Sequence, residues 1–189
     1  MFKHRLMLLR DVNSSNPRAR LNQIIDLNLR RILDFHNAER CVLALQRTAS
    51  DPRYVMYTVT GSDPRPGGVQ EMTEESAERL LRPKDEHSIL YSMRELRRAC
   101  VAFDCKGERE STRASASCEF VAALLEAAHF LTVPCRQSDG TGGRLFLASS
   151  HSRFTRSDIQ FLRQFTAAVF KVVENQQLLD ELGFECGGI

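Results

Sequence analysis

The sequence predicts an α+β domain. It consists of a central antiparallel sheet of five to six strands, with the N- and C-terminal helices on one face and short helices and loops over the other. Three observations lead there. Amphipathic helical patterns open and close the chain, strand-like runs lie between them, and the apolar stripes on these elements can all be buried on the two faces of one sheet. The chain has 189 residues, 42% hydrophobic and 26% charged. That is enough for one good-sized domain and outside the range of disordered chains.

Residues 2–10 place Phe2, Leu6 and Leu9 at helical spacing. Asn13 to Pro17 then breaks the pattern, with Asn16 suited to cap a new helix and Pro17 to open it. Leu21, Ile24, Ile25, Leu29, Ile32 and Leu33 form one stripe that ends near Asn37. Strands follow at 41–47 and 54–60, rich in aliphatic, aromatic and β-branched residues and joined by a loop of hairpin composition. Residues 61–68 read as a loop. Thr73 can cap a helix with Glu74 and Glu75 in its first turn and Arg79 and Arg82 near its end, stopped by Pro83.

The spacing of Ile89, Met93 and Leu96 predicts a second short helix over 88–97. A strand is expected at 99–105, an exposed loop without an apolar stripe at 106–117, and a helix at 119–128. Strands at 130–136 and 144–149 make a hairpin around a glycine-rich turn. The last element is the longest. Thr155 caps it with Asp158 at the third helical position. Ile159, Leu162, Phe165, Val169, Val172, Val173, Leu179 and Leu182 then carry one stripe over about seven turns, roughly 40 Å. A helix that overruns its domain in this way calls for a second helix to cover it, in a dimer or a signalling stalk, or for docking along its own domain.

The balance of 26 basic against 24 acidic residues gives +2, too little to mark a nucleic-acid binder. The ends differ in sign. Lys3, Arg5, Arg10, Arg18 and Arg20 face only Asp11 within 1–20, whereas Lys171 stands against Glu174, Asp180, Glu181 and Glu185 in 171–189. This suits terminal helices that lie near one another, or two solvated faces of accidental sign. No apolar run reaches the ~18–20 residues of a membrane span, and the first residues lack a secretory pattern, so a cytoplasmic location without direct membrane insertion is expected. The six cysteines form no Cys-x-x-Cys pair. Cys41 and Cys135 sit inside apolar runs as small core residues. Gly140 to Gly143 is a turn, not a phosphate loop, and no nucleophile-elbow, zincin or kinase signature is present.

In this order of elements the chain resembles a GAF domain, the small-molecule sensory module of signalling proteins, over 18–182. Residues 1–17 form a preceding helix and linker, and 183–189 a tail. The resemblance rests on the opening helix running into Asn37 to Leu45, and on Ser88 to Leu96 leading to Cys100 to Asp104. It rests further on Phe130 to Pro134 with Gly143 to Leu147, and on Phe154 to Leu162 opening the last helix. It implies a non-catalytic sensor that binds an unidentified small molecule or partner. The state would pass through its terminal helices, as a homodimer, to an output module such as a histidine kinase of a two-component system or a cyclase. The alternatives it leaves are a ligand-free dimerisation module of the same fold and a thiol-dependent free methionine-sulfoxide reductase.

The resemblance puts the ligand pocket between the sheet and the segment covering it, roughly residues 62–129. Candidate ligand-binding residues there are His87, Tyr91, Arg94, Asp104, Cys118 and His129; no catalytic residue and no metal ligand is assigned. Strand parity sets Asp104 with Cys100 and Ala102, away from Val101 and Phe103. The cofactor stays unassigned. No Cys precedes a His as in bilin-attaching members, there is no Asn-Lys-Phe-Asp-Glu signature of cyclic-nucleotide binding, and haem would require His87 or His129 as axial ligand. The reductase would draw on Cys100, Cys105 and Cys118. Cys100 and Cys105 point to opposite faces of one strand, and no Gly-Val-Cys-Gly-like segment accompanies them.

Overall fold

A computed structural model describes residues 21–46, 53–62, 68–81, 88–92, 99–103, 109–113, 125–136, 142–151 and 153–181. Along the chain run α1 (Leu21–His36), β1 (Arg40–Gln46), β2 (Tyr54–Thr60), β3 (Gly68–Glu71), α2 (Glu74–Leu81), β4 (Ser88–Ser92), β5 (Ala99–Phe103), β6 (Arg109–Arg113), β7 (His129–Arg136), β8 (Gly142–Ser149) and α3 (Arg156–Glu181). The expected helix at 2–10, the cap at Asn16 and Pro17, and the tail lie outside the described residues.

The strands form one sheet in the order β3-β2-β1-β8-β7-β4-β5-β6. Every pairing is antiparallel. The class is as the sequence predicts, with eight strands among the described residues where five to six were expected.

Strand alternation divides the core into two layers. On the back face, Cys41, Leu43 and Leu45 of β1, Val55, Tyr57 and Val59 of β2, Leu131, Val133 and Cys135 of β7, and Leu145 and Leu147 of β8 meet the stripes of both long helices. These stripes are Ile25, Leu29, Ile32 and Leu33 of α1, and Ile159, Leu162, Phe165 and Val169 of α3. On the front face, Val42, Ala44, Phe130, Phe146 and Ala148 pack with Leu80 of α2, Leu125 and Ala127. Both terminal helices thus share one face of the sheet. The three central strands β1, β7 and β8 are buried on both sides.

Local signals fix the helix ends. Asn37 takes a left-handed φ of 47° after α1. The amide of Ala38 bonds to the Leu33 carbonyl at 2.9 Å and that of Asn37 to the Asp34 carbonyl at 3.1 Å, closing the helix in a Schellman motif. Thr73 caps α2, its Oγ1 accepting from the Ser76 amide at 3.3 Å. Asp158 Oδ2 accepts from the Thr155 amide and from Thr155 Oγ1, each at 2.7 Å, at the start of α3. Farther along, Arg163 Nε donates to the buried Ser88 Oγ at 3.1 Å and ties α3 to β4.

Four sequence expectations are corrected. Residues 88–92 are a strand and not a helix. The spacing of Ile89, Met93 and Leu96 mimics a helical stripe, but β7 on one side and β5 on the other satisfy this backbone as a ladder. Residues 109–113, expected in a loop, are the edge strand β6. Its pairing is with β5, and a strand at a sheet edge needs no apolar stripe. Gly68, expected in a loop, opens the short edge strand β3. The helix expected to reach Ala128 ends at Leu125, because Glu126 turns the chain with φ 51°.

Candidate functional site

The front of the sheet is the face left clear by the terminal helices. Its floor comes from alternate residues of β1, β7 and β8, and α2 covers part of it through Leu80. A buried cation near the start of β8 shares this face. Arg144 is only 3% exposed. Its Nη1 donates to Oγ1 of buried Thr132 at 3.4 Å, which sets both side chains on the face of Phe146, the register partner of Thr132. Desolvating a guanidinium costs several kcal/mol unless hydrogen bonds and opposite charge compensate it. An arginine in such a place therefore points to recognition of an anion or to a buried polar network. A guanidinium has five donors in a planar fork, so it can serve a strand neighbour and a carboxylate or phosphate together.

The sequence-derived candidates fall unevenly around this floor. His87, Arg94, Asp104 and Cys118 lie outside the described residues. Tyr91 is in β4, where its register partners are Phe130 of β7 and Cys100 of β5. His129 opens β7 and is 2% exposed. It pairs with Ser92 and Ser149 and is in step with Leu131 and Val133, which belong to the helix-covered face. Arg144 and Thr132 were not among the candidates. The signal that could have found them is that a strand inside a two-layered core has no solvent face, so any charge in mid-strand is buried.

The described thiols have a structural character. Cys41 and Cys135 are free and buried in the back layer. Burial pushes the Cys41 thiol far up, with neighbouring Cys135 adding to the effect. Burial also raises Cys135, to about 12, against hydrogen bonding and the charge of Arg144. Both stay protonated near neutral pH and are poor nucleophiles. Of the candidate thiols of the reductase reading, Cys100 lies in β5, whereas Cys105 and Cys118 lie outside the described residues. An opening of about 170 Å³ lies on the back between α1 and the β2–β3 edge, beside Asp26, Leu29, Tyr57 and Val69. No helix among the described residues is long and apolar enough to cross a membrane.

No family model matches the sequence, and no curated protein does. Solved structures match it strongly in shape. The phycoerythrobilin-bound GAF domain from a cyanobacterial phytochrome superposes with a TM-score of 0.70 at 11% identity, over 93% of this chain and 97% of that one. The chain has the GAF fold. The GAF domain of Acinetobacter phosphoenolpyruvate-protein phosphotransferase covers 100% of this chain and 96% of its own at 15% identity, with a TM-score of 0.58. The GAF domain of a protein described as a sensor histidine kinase, from Pseudomonas syringae pv. tomato, gives 0.52 at 17% identity over 95% and 92%. The GAF fold thus recurs across sensory and phosphotransfer proteins. At these identities it is the fold that is shared, and ligand chemistry must be read from this chain's own residues.

Proposed function

We infer that this GAF-fold chain is a non-catalytic sensory domain. It takes a small molecule with a carboxylate or phosphate group on the front of its sheet and passes the bound state through α1 and α3 to an output module. The observation that carries this reading is the buried Arg144 beside Thr132, a charge in the layer that faces away from the terminal helices. β7 and β8 supply both the front floor and the seat of the terminal helices. A ligand that prefers one arrangement of the front layer therefore has a short path to the helices, and a coupling of about 1–3 kcal/mol is enough for a switch. The phytochrome, phosphotransferase and histidine-kinase neighbours support a signalling context. Covalent bilin attachment is not part of the reading, since no cysteine of the sequence precedes a histidine.

The test is thermal-shift screening of metabolites bearing carboxylate or phosphate groups, followed by calorimetry on each hit. Arg144→Met keeps the length and apolar stem and removes the charge; Arg144→Lys keeps the charge without the planar fork. A ligand that stabilises the native chain, binds at least tenfold more weakly to Arg144→Met and is partly restored by Arg144→Lys supports the reading. Equal binding to Arg144→Met, or hits confined to neutral and cationic compounds, refutes it.

A homodimer formed through the terminal helices is the second reading. It is favoured by the 26 residues of α3, about 39 Å long. Light scattering of a chain cut after Val173 should then show a monomer where the full chain shows a dimer.

A further inference from the structure

The cleft on the back of the sheet arises where α1 stops short of the sheet edge. The apolar stripe of α1 seats on β1 and β2, and the short strand β3 extends the sheet past the helix. Val69 of β3 is the register partner of Tyr57, so both side chains belong to the helix side. Tyr57 is buried there, yet Val69 stays 47% exposed. The β2–β3 ladder ends at Thr58 and Gly68, so Val59 has no register partner on that side among the described residues. The resulting cleft measures about 170 Å³. The core residues Leu29, Tyr57 and Val59 reach into its lining, and Val69 stands at its open side.

The polar groups here are acceptors. Tyr57 Oη donates to Asn22 Oδ1 at 3.2 Å. With its proton so committed, the hydroxyl can only accept from a further group, and the Asn22 oxygen has a second lone pair. Asp26 contributes the one formal charge among the lining residues. Its Oδ2 accepts from Arg30 Nε at 3.0 Å, and a carboxylate offers about four acceptor positions. We propose that this cleft binds a small apolar molecule carrying an N–H or O–H donor, neutral or cationic. Its body lies on Leu29, Val59 and Val69, and its donor points to Tyr57 and Asp26. Anions are disfavoured by the same arrangement, since a carboxylate sets acceptor against acceptor and meets the charge of Asp26. The selectivity is thus opposite to that proposed for the Arg144 face, and the two sites lie on opposite sides of the sheet. An occupant wedged between the helix and β3 bears directly on α1. That consequence rests on the reading of α1 as a carrier of the signal, whereas the binding itself does not.

The experiment is a two-dimensional NMR titration of the full chain with three probes that share a phenyl ring: benzyl alcohol, benzylamine and benzoate. Each is taken to about 20 mM, because molecules this small bind at best in about the millimolar range. Shifts are read at the backbone amides of Leu29, Val59 and Val69, so an anion site on the Arg144 face, present or absent, does not enter the result. Benzyl alcohol and benzylamine should give saturable shifts, and benzoate should bind about tenfold more weakly than benzylamine. Tyr57→Phe should weaken benzyl alcohol about fivefold, as the loss of one hydrogen bond does. Asp26→Asn should weaken benzylamine about threefold and leave benzyl alcohol unchanged. Val69→Trp sets a bulky ring at the open side and should abolish binding of both. Absence of saturable shifts, benzoate binding as tightly as benzylamine, or undiminished binding to Val69→Trp overturns the proposal. Should Val69→Trp fail to fold, the order of the three probes and the other two variants decide.

Discussion

Gly143 of β8 lies so close to Ala44 of β1 that a Cβ built on it would stand 2.8 Å from the Ala44 carbonyl oxygen and 3.1 Å from Leu45 Cβ. The obstacle is backbone in the centre of the sheet and cannot swing aside. Gly142, one residue earlier, has nothing within 4 Å of the same virtual atom. Gly143→Ala should therefore destabilise the domain by about 1–3 kcal/mol, the usual range for overpacking a core. Gly142→Ala should stay within about 0.5 kcal/mol. Urea titrations of the two variants make the comparison, and similar midpoints would contradict the close strand approach.

The cap of α3 offers a second check. Thr155 donates through both its amide and its hydroxyl to Asp158. Thr155→Ala removes the hydroxyl bond and should cost about 0.5–2 kcal/mol. The loss should appear as faster hydrogen exchange in the first turn of α3, with the α2 cap at Thr73 unaffected.

Acid should weaken the contact between the β1 entrance and the segment after β8. Partial burial opposes ionisation of Glu39, but the Ser150 hydroxyl and amide and the charge of His151 outweigh it and hold the carboxyl below its ordinary value. A lowered carboxylate pKa means that the stabilisation is complete above the unfolded-state value and is lost as pH falls through the folded one. The difference in stability between the native chain and Glu39→Gln should therefore shrink from pH 7 to pH 3. Its size at pH 7 should be below about 1 kcal/mol, since the side chain is substantially exposed.

Cys41 and Cys135 should resist alkylation in the folded domain. Both are buried, and burial keeps them protonated. Mass-spectrometric mapping after a brief iodoacetamide pulse at pH 8 should leave these two positions unmodified until denaturant unfolds the chain. Rapid labelling of either would show that the back layer opens.

The back layer was readable in the sequence because each of its elements buries a single periodic stripe. Ile25, Leu29 and Leu33 announce α1; Ile159, Leu162, Phe165 and Val169 announce α3; the capping residues Thr73 and Thr155 mark two helix starts. The strands that were missed fail for definite reasons. β4 carries apolar residues at a spacing that fits a helix equally well, and only its two neighbours decide. β6 is polar because it is an edge, and polarity reads as loop. β3 has four residues, too few for a pattern. The site was less legible than the fold. His129 looks like a pocket histidine by composition, yet it keeps step with Leu131. Arg144 looks like an ordinary strand start, although both faces of β8 are covered.

One feature of the sheet constrains how such a domain can change over time. β1, β7 and β8 have no face open to water, and their successive side chains serve opposite chambers. A shift of one residue in their register would carry Arg144 into the greasy seam beneath α3 and bring Leu145 or Leu147 up in its stead. Slippage is therefore barred, and rearrangement here must proceed by tilting or flexing whole strands. The partition behaves like a taut diaphragm, whose two sides cannot be remodelled independently by mutation.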